Sequence, residues 1–346
     1  MKHIFVFVLL TFTLSSFAEN LSKVFYGEDD RFNIKNSPEA RFQIQGLSVA
    51  HMISEDLLEP AYDGVLTKVL AKPLHERFSM CLEERYAKEL SAGKCSGFLV
   101  ASDLLVTAGH CIWGQSSCDD NKWIFDFRND FIYNGGNPDL AFVSSEDVYG
   151  CKEVINRKYN RETTKNDFAL IRLDRPVTDR KPLKIRSEGK VSDDSEIVMI
   201  GHPLGLSLKI SYKGKILKND NPFYFKTNLD SFSGNSGSPV FNKKTGVVEG
   251  ILVRGELDFL PDSSENCNTV NRCKETGESC EGEDVTRITV IPELVPGMTP
   301  SEEVSAQIEE PDADDSVDWN EYRDDIDDDE INWDCYINNE NCGFDE

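Results

Sequence analysis

Gly234-Asn235-Ser236-Gly237-Ser238-Pro239-Val240 sets a serine between two glycines, just ahead of an apolar run. Glycine tolerates left-handed backbone angles, so this frame can fold into a tight turn that projects the Ser236 hydroxyl. The same turn brings the N–H groups of Gly234 and Ser236 toward one point, where a developing oxyanion could be held. Taken alone, the pattern also describes many ordinary turns. Two more frames narrow the reading. Thr107-Ala108-Gly109-His110-Cys111 presents an imidazole, and Asn166-Asp167-Phe168-Ala169-Leu170 presents a carboxylate at the head of a buried-looking strand. A hydroxyl to attack a carbonyl, an imidazole to take and return its proton, and a carboxylate to fix the tautomer are the parts of acyl transfer. The other four histidines, His3, His51, His75 and His202, have no comparable frame.

The order His110, Asp167, Ser236 matches chymotrypsin-type enzymes and not subtilisins or α/β-hydrolases. With these frames the chain resembles the trypsin-like peptidase family, in the bacterial branch that includes the glutamyl endopeptidases. The closer likeness is carried by Gly234 to Val240, by Gly201-His202-Pro203-Leu204-Gly205 and by Val24-Phe25-Tyr26-Gly27-Glu28-Asp29-Asp30-Arg31, and spans residues 24–290. It implies an all-β fold of two six-stranded antiparallel barrels, the first over 91–175 with His110 and Asp167, the second over 183–290 with Ser236. It also implies a serine endopeptidase with His110, Asp167 and Ser236 as catalytic residues and the N–H groups of Gly234 and Ser236 as oxyanion donors. Protein or peptide substrates follow, with no metal and no organic cofactor. A disulfide between Cys95 and Cys111, anchoring the His110 loop, rests on the same likeness.

Short β-rich runs between turn clusters agree with such a fold. Leu104–Thr107, Trp123–Phe127, Asp167–Leu173, Glu196–Ile200, Lys209–Leu217, Pro239–Asn242 and Val247–Arg254 are predicted strands, and Glu76–Leu90 is predicted to be a helix ahead of the first barrel. No repeat of 20–50 residues is evident.

The 346 residues suffice for one two-barrel unit and a tail. Residues 1–18 read as a secretory leader: Lys2, an apolar run from Ile4 to Leu14, then Ser16 and Ala18 before a cut. That run is too short to span a bilayer, so an exported protein, secreted or periplasmic and without stable membrane insertion, is expected. Residues 19–23 read as a short propeptide ending at Lys23. Ten cysteines in an exported chain point to disulfides. Cys118 with Cys151 and Cys335 with Cys342 are expected pairs, and Cys81, Cys267, Cys273 and Cys280 are left unassigned. The net charge of −25 is concentrated in the tail: residues 301–346 hold nineteen acidic side chains and one basic one, Arg323. Residues 297–346 therefore read as a solvated, disordered extension, with calcium binding or attraction of cationic proteins as rivals. Nucleic acid is not an expected partner, and a monomer is expected.

Six residues before Ser236 stands Asp230, at the offset that forms the base of the specificity pocket in the family. A carboxylate there would be matched by a lysine or arginine of the substrate, which predicts cleavage after Arg or Lys. Ser231, Leu252, Val253 and Gly255 are the other expected substrate-binding residues, the last leaving the pocket entrance open. At the position of Leu252 the glutamyl endopeptidases carry a histidine, a departure that argues against their specificity. Cleavage after Glu or Asp remains the rival, as does a catalytically inactive homologue that binds proteins. Asn235 cannot form the ion pair with a new amino terminus that an aspartate makes in trypsin.

Overall fold

The structure, a computed structural model, describes residues 25–276 and 280–295. The expected leader, propeptide, acidic tail and Cys335–Cys342 bridge lie outside these residues. Its strands are rich in β-branched and aliphatic residues, which fit a pleated, buried surface. Asp167–Leu173 and Glu196–Gly201 are buried at nearly every position, as strands covered on both faces must be.

Twelve strands form two closed antiparallel barrels. The first is built from β1 (Val49–Ser54), β2 (Cys95–Ala101), β3 (Leu104–Thr107), β4 (Asn121–Ile124), β5 (Val148–Tyr159) and β6 (Asp167–Leu173). The second is built from β7 (Glu196–Gly201), β8 (Lys209–Lys218), β9 (Tyr224–Thr227), β10 (Pro239–Asn242), β11 (Val248–Arg254) and β12 (Glu283–Arg287). Barrel one runs β4-β5-β6-β3-β2-β1 and closes on β4; barrel two runs β10-β11-β12-β9-β8-β7 and closes on β10. The connectivity is the same in both, so one topology occurs twice without a visible sequence repeat.

One apolar cluster lies across the two barrels, joining Phe98, Trp123 and Phe168 with Phe241, Ile251 and Val253. A second fills barrel two, with Ile197, Phe225, Leu229, Val240, Leu252 and Val285. At about 25 cal/mol per Å² of apolar surface removed from water, burial of this kind is the main term holding each barrel closed. Four disulfides staple the described residues. Cys95–Cys111 and Cys118–Cys151 are as expected, and the unassigned cysteines pair as Cys81–Cys267 and Cys273–Cys280.

Two expectations are corrected. The helix predicted over Glu76–Leu90 is confined to Leu74–Phe78, because Ser79 takes a left-handed φ of 51° and ends it, and Tyr86 at φ 67° bends the segment again. The first barrel begins at β1, well before residue 91, since Val49-Ala50-His51-Met52-Ile53 is buried on both faces and pairs with β2 and β4. Ahead of β1, Phe25–Tyr26 pairs in parallel with Arg272–Cys273, and Phe32–Asn33 pairs with β8, so the amino-terminal segment straps onto barrel two.

Candidate active site

His110 follows β3 at the junction of the barrels. Gly109 before it is required by crowding: a Cβ there would lie 2.0 Å from the Lys158 carbonyl oxygen and 2.7 Å from that of Phe168. The Cys95–Cys111 bridge ties the segment to β2. Asp167 opens β6, is fully buried, and holds His110 twice. Its Oδ1 accepts the His110 backbone N–H at 3.1 Å, and its Oδ2 accepts the Nδ1–H at 2.8 Å. The second bond fixes the tautomer in which Nε2 is the free base.

Ser236 sits on the turn that leads into β10. Gly234 and Gly237 adopt φ of 93° and 91°, where a side chain would be strained. A Cβ on Gly237 would also lie 1.9 Å from the Ser96 carbonyl oxygen, so β2 of barrel one passes directly against the turn. Ser96 pins it at two points: its N–H donates to the Ser236 carbonyl at 2.8 Å, and its hydroxyl to the Gly234 carbonyl at 2.8 Å. The same hydroxyl accepts the His202 N–H at 3.0 Å, which carries the support on to the Gly201–Gly205 segment. The N–H groups of Asn235, Gly237 and Ser238 are engaged by Phe232, Leu252 and Asn235 carbonyls. Those of Gly234 and Ser236 are the pair expected to hold an oxyanion.

A cavity of about 260 Å³ brings the two frames together, lined by Lys94, His110, Trp113, Gly234, Ser236 and Arg254 among others. Cys95, His110 and Cys111 form a cluster of metal-ligand type, but the two sulfurs are bonded to each other and cannot ligate.

The expected specificity residues divide. Val253 lines the cavity, whereas Leu252 belongs to the core of barrel two. Ser231 is fully buried and does not line it. Asp230 is placed differently from the expectation: its Oδ1 accepts the Tyr26 N–H and its Oδ2 the Asp30 N–H, both at 2.7 Å. The carboxyl is 3% exposed and is consumed as the anchor of the amino-terminal strap, not presented to the cleft. Burial and then the neighbouring Asp30 carboxylate push its proton affinity up, against the opposing pull of those two N–H groups and of Arg31. Gly255 does not leave an entrance open either. A Cβ there would lie 2.0 Å from a carboxylate oxygen of the buried Glu283, which occupies that space and accepts the Glu256 N–H at 3.3 Å.

Asn235 is buried, and neither its side-chain oxygen nor its side-chain nitrogen has a hydrogen-bond partner among the described residues. Ser96, Lys94, Arg254 and the strap residues Tyr26 and Asp30 are functional-site neighbours that sequence reasoning missed. Ser96 stands beside the Cys95 bridge, Tyr26 and Asp30 lie in the stretch that carries the family likeness and Arg254 ends a predicted strand, but none of these signals points to the contacts found.

The trypsin-like peptidase domain family matches residues 95–251. Among solved structures, a protease from Vibrio cholerae, VesB, is similar at 9% identity and a TM-score of 0.44, over 76% of this chain and 65% of that one. With His110, Asp167 and Ser236 all inside the matched segment, on two barrels of one topology, this chain carries a trypsin-like peptidase domain.

Proposed function

We propose that the protein is an exported serine endopeptidase. Ser236 Oγ attacks the scissile carbonyl while His110 Nε2 takes its proton, and Asp167 holds Nδ1–H and stabilises the imidazolium. The N–H groups of Gly234 and Ser236 take the oxyanion. His110 then returns the proton to the leaving amine, and water hydrolyses the acyl-enzyme by the same route. The observation that carries this reading is the 2.8 Å contact of His110 Nδ1 with the buried Asp167, on an imidazole that shares a cavity with Ser236.

The residue before the cut is a separate matter. Cleavage after Arg or Lys loses its anchor with Asp230 tied to the strap. The rival, cleavage after Glu or Asp, is favoured by the charge that borders the cavity: Lys94 lines it, and no carboxylate is among its lining residues. Export is supported by the four disulfides, and no helix among the described residues is long and apolar enough to cross a membrane.

A fluorophosphonate probe on purified protein tests the chemistry: labelling of wild type and none of Ser236→Ala is expected, with turnover lowered on the order of 10⁶-fold in the variant. Wild type that fails to label refutes the reading. A panel of chromogenic peptides differing only in the residue before the cut decides the preference.

A further inference from the structure

Arg254 closes β11 of barrel two, yet its guanidinium reaches barrel one. Nη1 lies 3.5 Å from Asp167 Oδ2, and Nη2 donates to the Lys165 carbonyl at 2.9 Å. On its own barrel Nε donates to Asp284 Oδ2 at 3.1 Å, and the other Asp284 oxygen lies 3.0 Å from Lys226 Nζ. Asp167, Arg254, Asp284 and Lys226 thus form, behind His110, a row of alternating charge from the cleft into barrel two. Asp167 has both oxygens engaged by His110 and is fully buried, so the guanidinium supplies the remaining compensation for a desolvated carboxylate.

We propose that Arg254 is a positioning residue: it latches the barrel that carries Ser236 to the barrel that carries His110 and Asp167. The inference rests on the triad reading. The planar fork donates to Asp284 Oδ2 on barrel two and to the Lys165 carbonyl just ahead of β6, and it sets Nη1 3.5 Å from Asp167. One ammonium does not reproduce that reach in three directions, so the guanidinium fixes the register of the two halves.

Among the described residues, the guanidinium lies over the Tyr224 ring, 5.7 Å from its centroid, Tyr159 packs beside His110 with ring centroids 6.0 Å apart, Arg157 and Arg161 lie over Tyr159, and Lys94 borders the same cavity.

The experiment measures kcat, KM and the melting temperature for wild type, Arg254→Gln, Arg254→Lys and Asp284→Asn, with kcat normalised to sites labelled by fluorophosphonate. Arg254→Gln and Arg254→Lys are both expected to lose roughly 10–100-fold in kcat per labelled site with KM little changed, as misplacement of reacting groups does. Arg254→Lys keeps the charge but not the fork, and it carries the test if Arg254→Gln does not fold. Asp284→Asn weakens one arm of the latch and is expected to lower kcat in the same sense and to a smaller extent. Unchanged kcat per labelled site in both Arg254 variants overturns the proposal, and so does a loss confined to the labelled fraction or the melting temperature, which would make the residue merely structural. So does a change confined to KM for substrates with acidic side chains, which would make Arg254 a substrate contact. Wild type that does not label refutes the triad reading itself, whereas labelled wild type with unchanged variants refutes the latch alone.

Discussion

His51 and His202 are expected to give this protein an acid sensitivity whose size can be worked out. The two rings stack with centroids 4.1 Å apart and planes 7° from parallel, one on β1 and the other just after β7, both fully buried. His202 Nδ1–H donates to the Leu206 carbonyl at 3.0 Å, while its Nε2 and both ring nitrogens of His51 have no hydrogen-bond partner. Burial drives His202 down to about 3, with Lys209 adding to it, and burial, then His202 and Arg77, drives His51 well below its ordinary value. A histidine depressed in the native state contributes stability above its unfolded value near 6.5 and loses it as pH falls toward the folded value. For His202 alone the loss between pH 7.5 and 4.5 is about 3 kcal/mol. Wild type by itself cannot report this, because Asp147, pushed up to about 7, and Asp230 take up protons on folding and act with the opposite sign. The difference from His202→Asn isolates it, since the amide can still donate to Leu206. The variant is expected to melt below wild type at pH 7.5, where it lacks the ring packing, and to recover roughly 8 °C of that deficit by pH 4.5. Thermal unfolding followed by circular dichroism at half-unit steps measures it. Parallel melting curves for the two proteins across that range would refute the argument.

Asp230→Ser is expected to leave the preference for the residue before the cut unchanged while lowering the melting temperature, because it strips acceptors from the Tyr26 and Asp30 N–H groups at about 1–3 kcal/mol each. A switch of preference in the peptide panel would show that Asp230 faces substrate after all. Replacing Cys81 and Cys267 by serine is expected to destabilise the protein by up to about 5 kcal/mol in the chain-entropy limit, and by more than replacing Cys118 and Cys151, since the sequence separations are 186 and 33. Equal losses in denaturant titrations would contradict that ordering.

The sequence was most legible where the geometry demands a particular residue locally. Gly109, Gly234 and Gly237 sit where a Cβ would strike backbone oxygen within about 2–2.5 Å, so the frames around His110 and Ser236 could be read without knowing their partners. Asp167–Leu173, Leu104–Thr107 and Pro239–Asn242 matched because an apolar run bounded by turns has few other uses. β1, β5, β9 and β12 were missed for a physical reason. β5 is half exposed and charged, β9 offers only Tyr224 and Phe225 before Lys226, β12 sets Glu283, Asp284 and Arg287 at buried positions, and β1 carries a buried histidine at its centre, so none reads as an apolar or alternating run. The helix over residues 76–90 failed because helical spacing says nothing of a left-handed residue at Ser79 or of the bridge from Cys81 to Cys267.

Asp230 is buried, as a carboxylate at the base of a pocket would be, but an offset from Ser236 cannot carry which donors arrive to meet it. Those donors, the N–H groups of Tyr26 and Asp30, come from a segment some 200 residues earlier in the chain, and Arg31 of the same segment lies 4.0 Å over the Phe232 ring beside them. A carboxylate buried at that depth must be compensated, and a substrate cation and a pair of backbone N–H groups are alternative ways to do it. Once the strap is seated, a lysine or arginine would have to displace two hydrogen bonds already made to an anion. On the proposed reading the charge left to meet a substrate is that of Lys94, which lines the cavity. The strap that stabilises barrel two thereby also withholds Asp230 from a substrate, so loosening the strap with Asp230 kept in place is expected to lower stability and release that carboxylate together, an outcome that Asp230→Ser, which removes the carboxylate, cannot give.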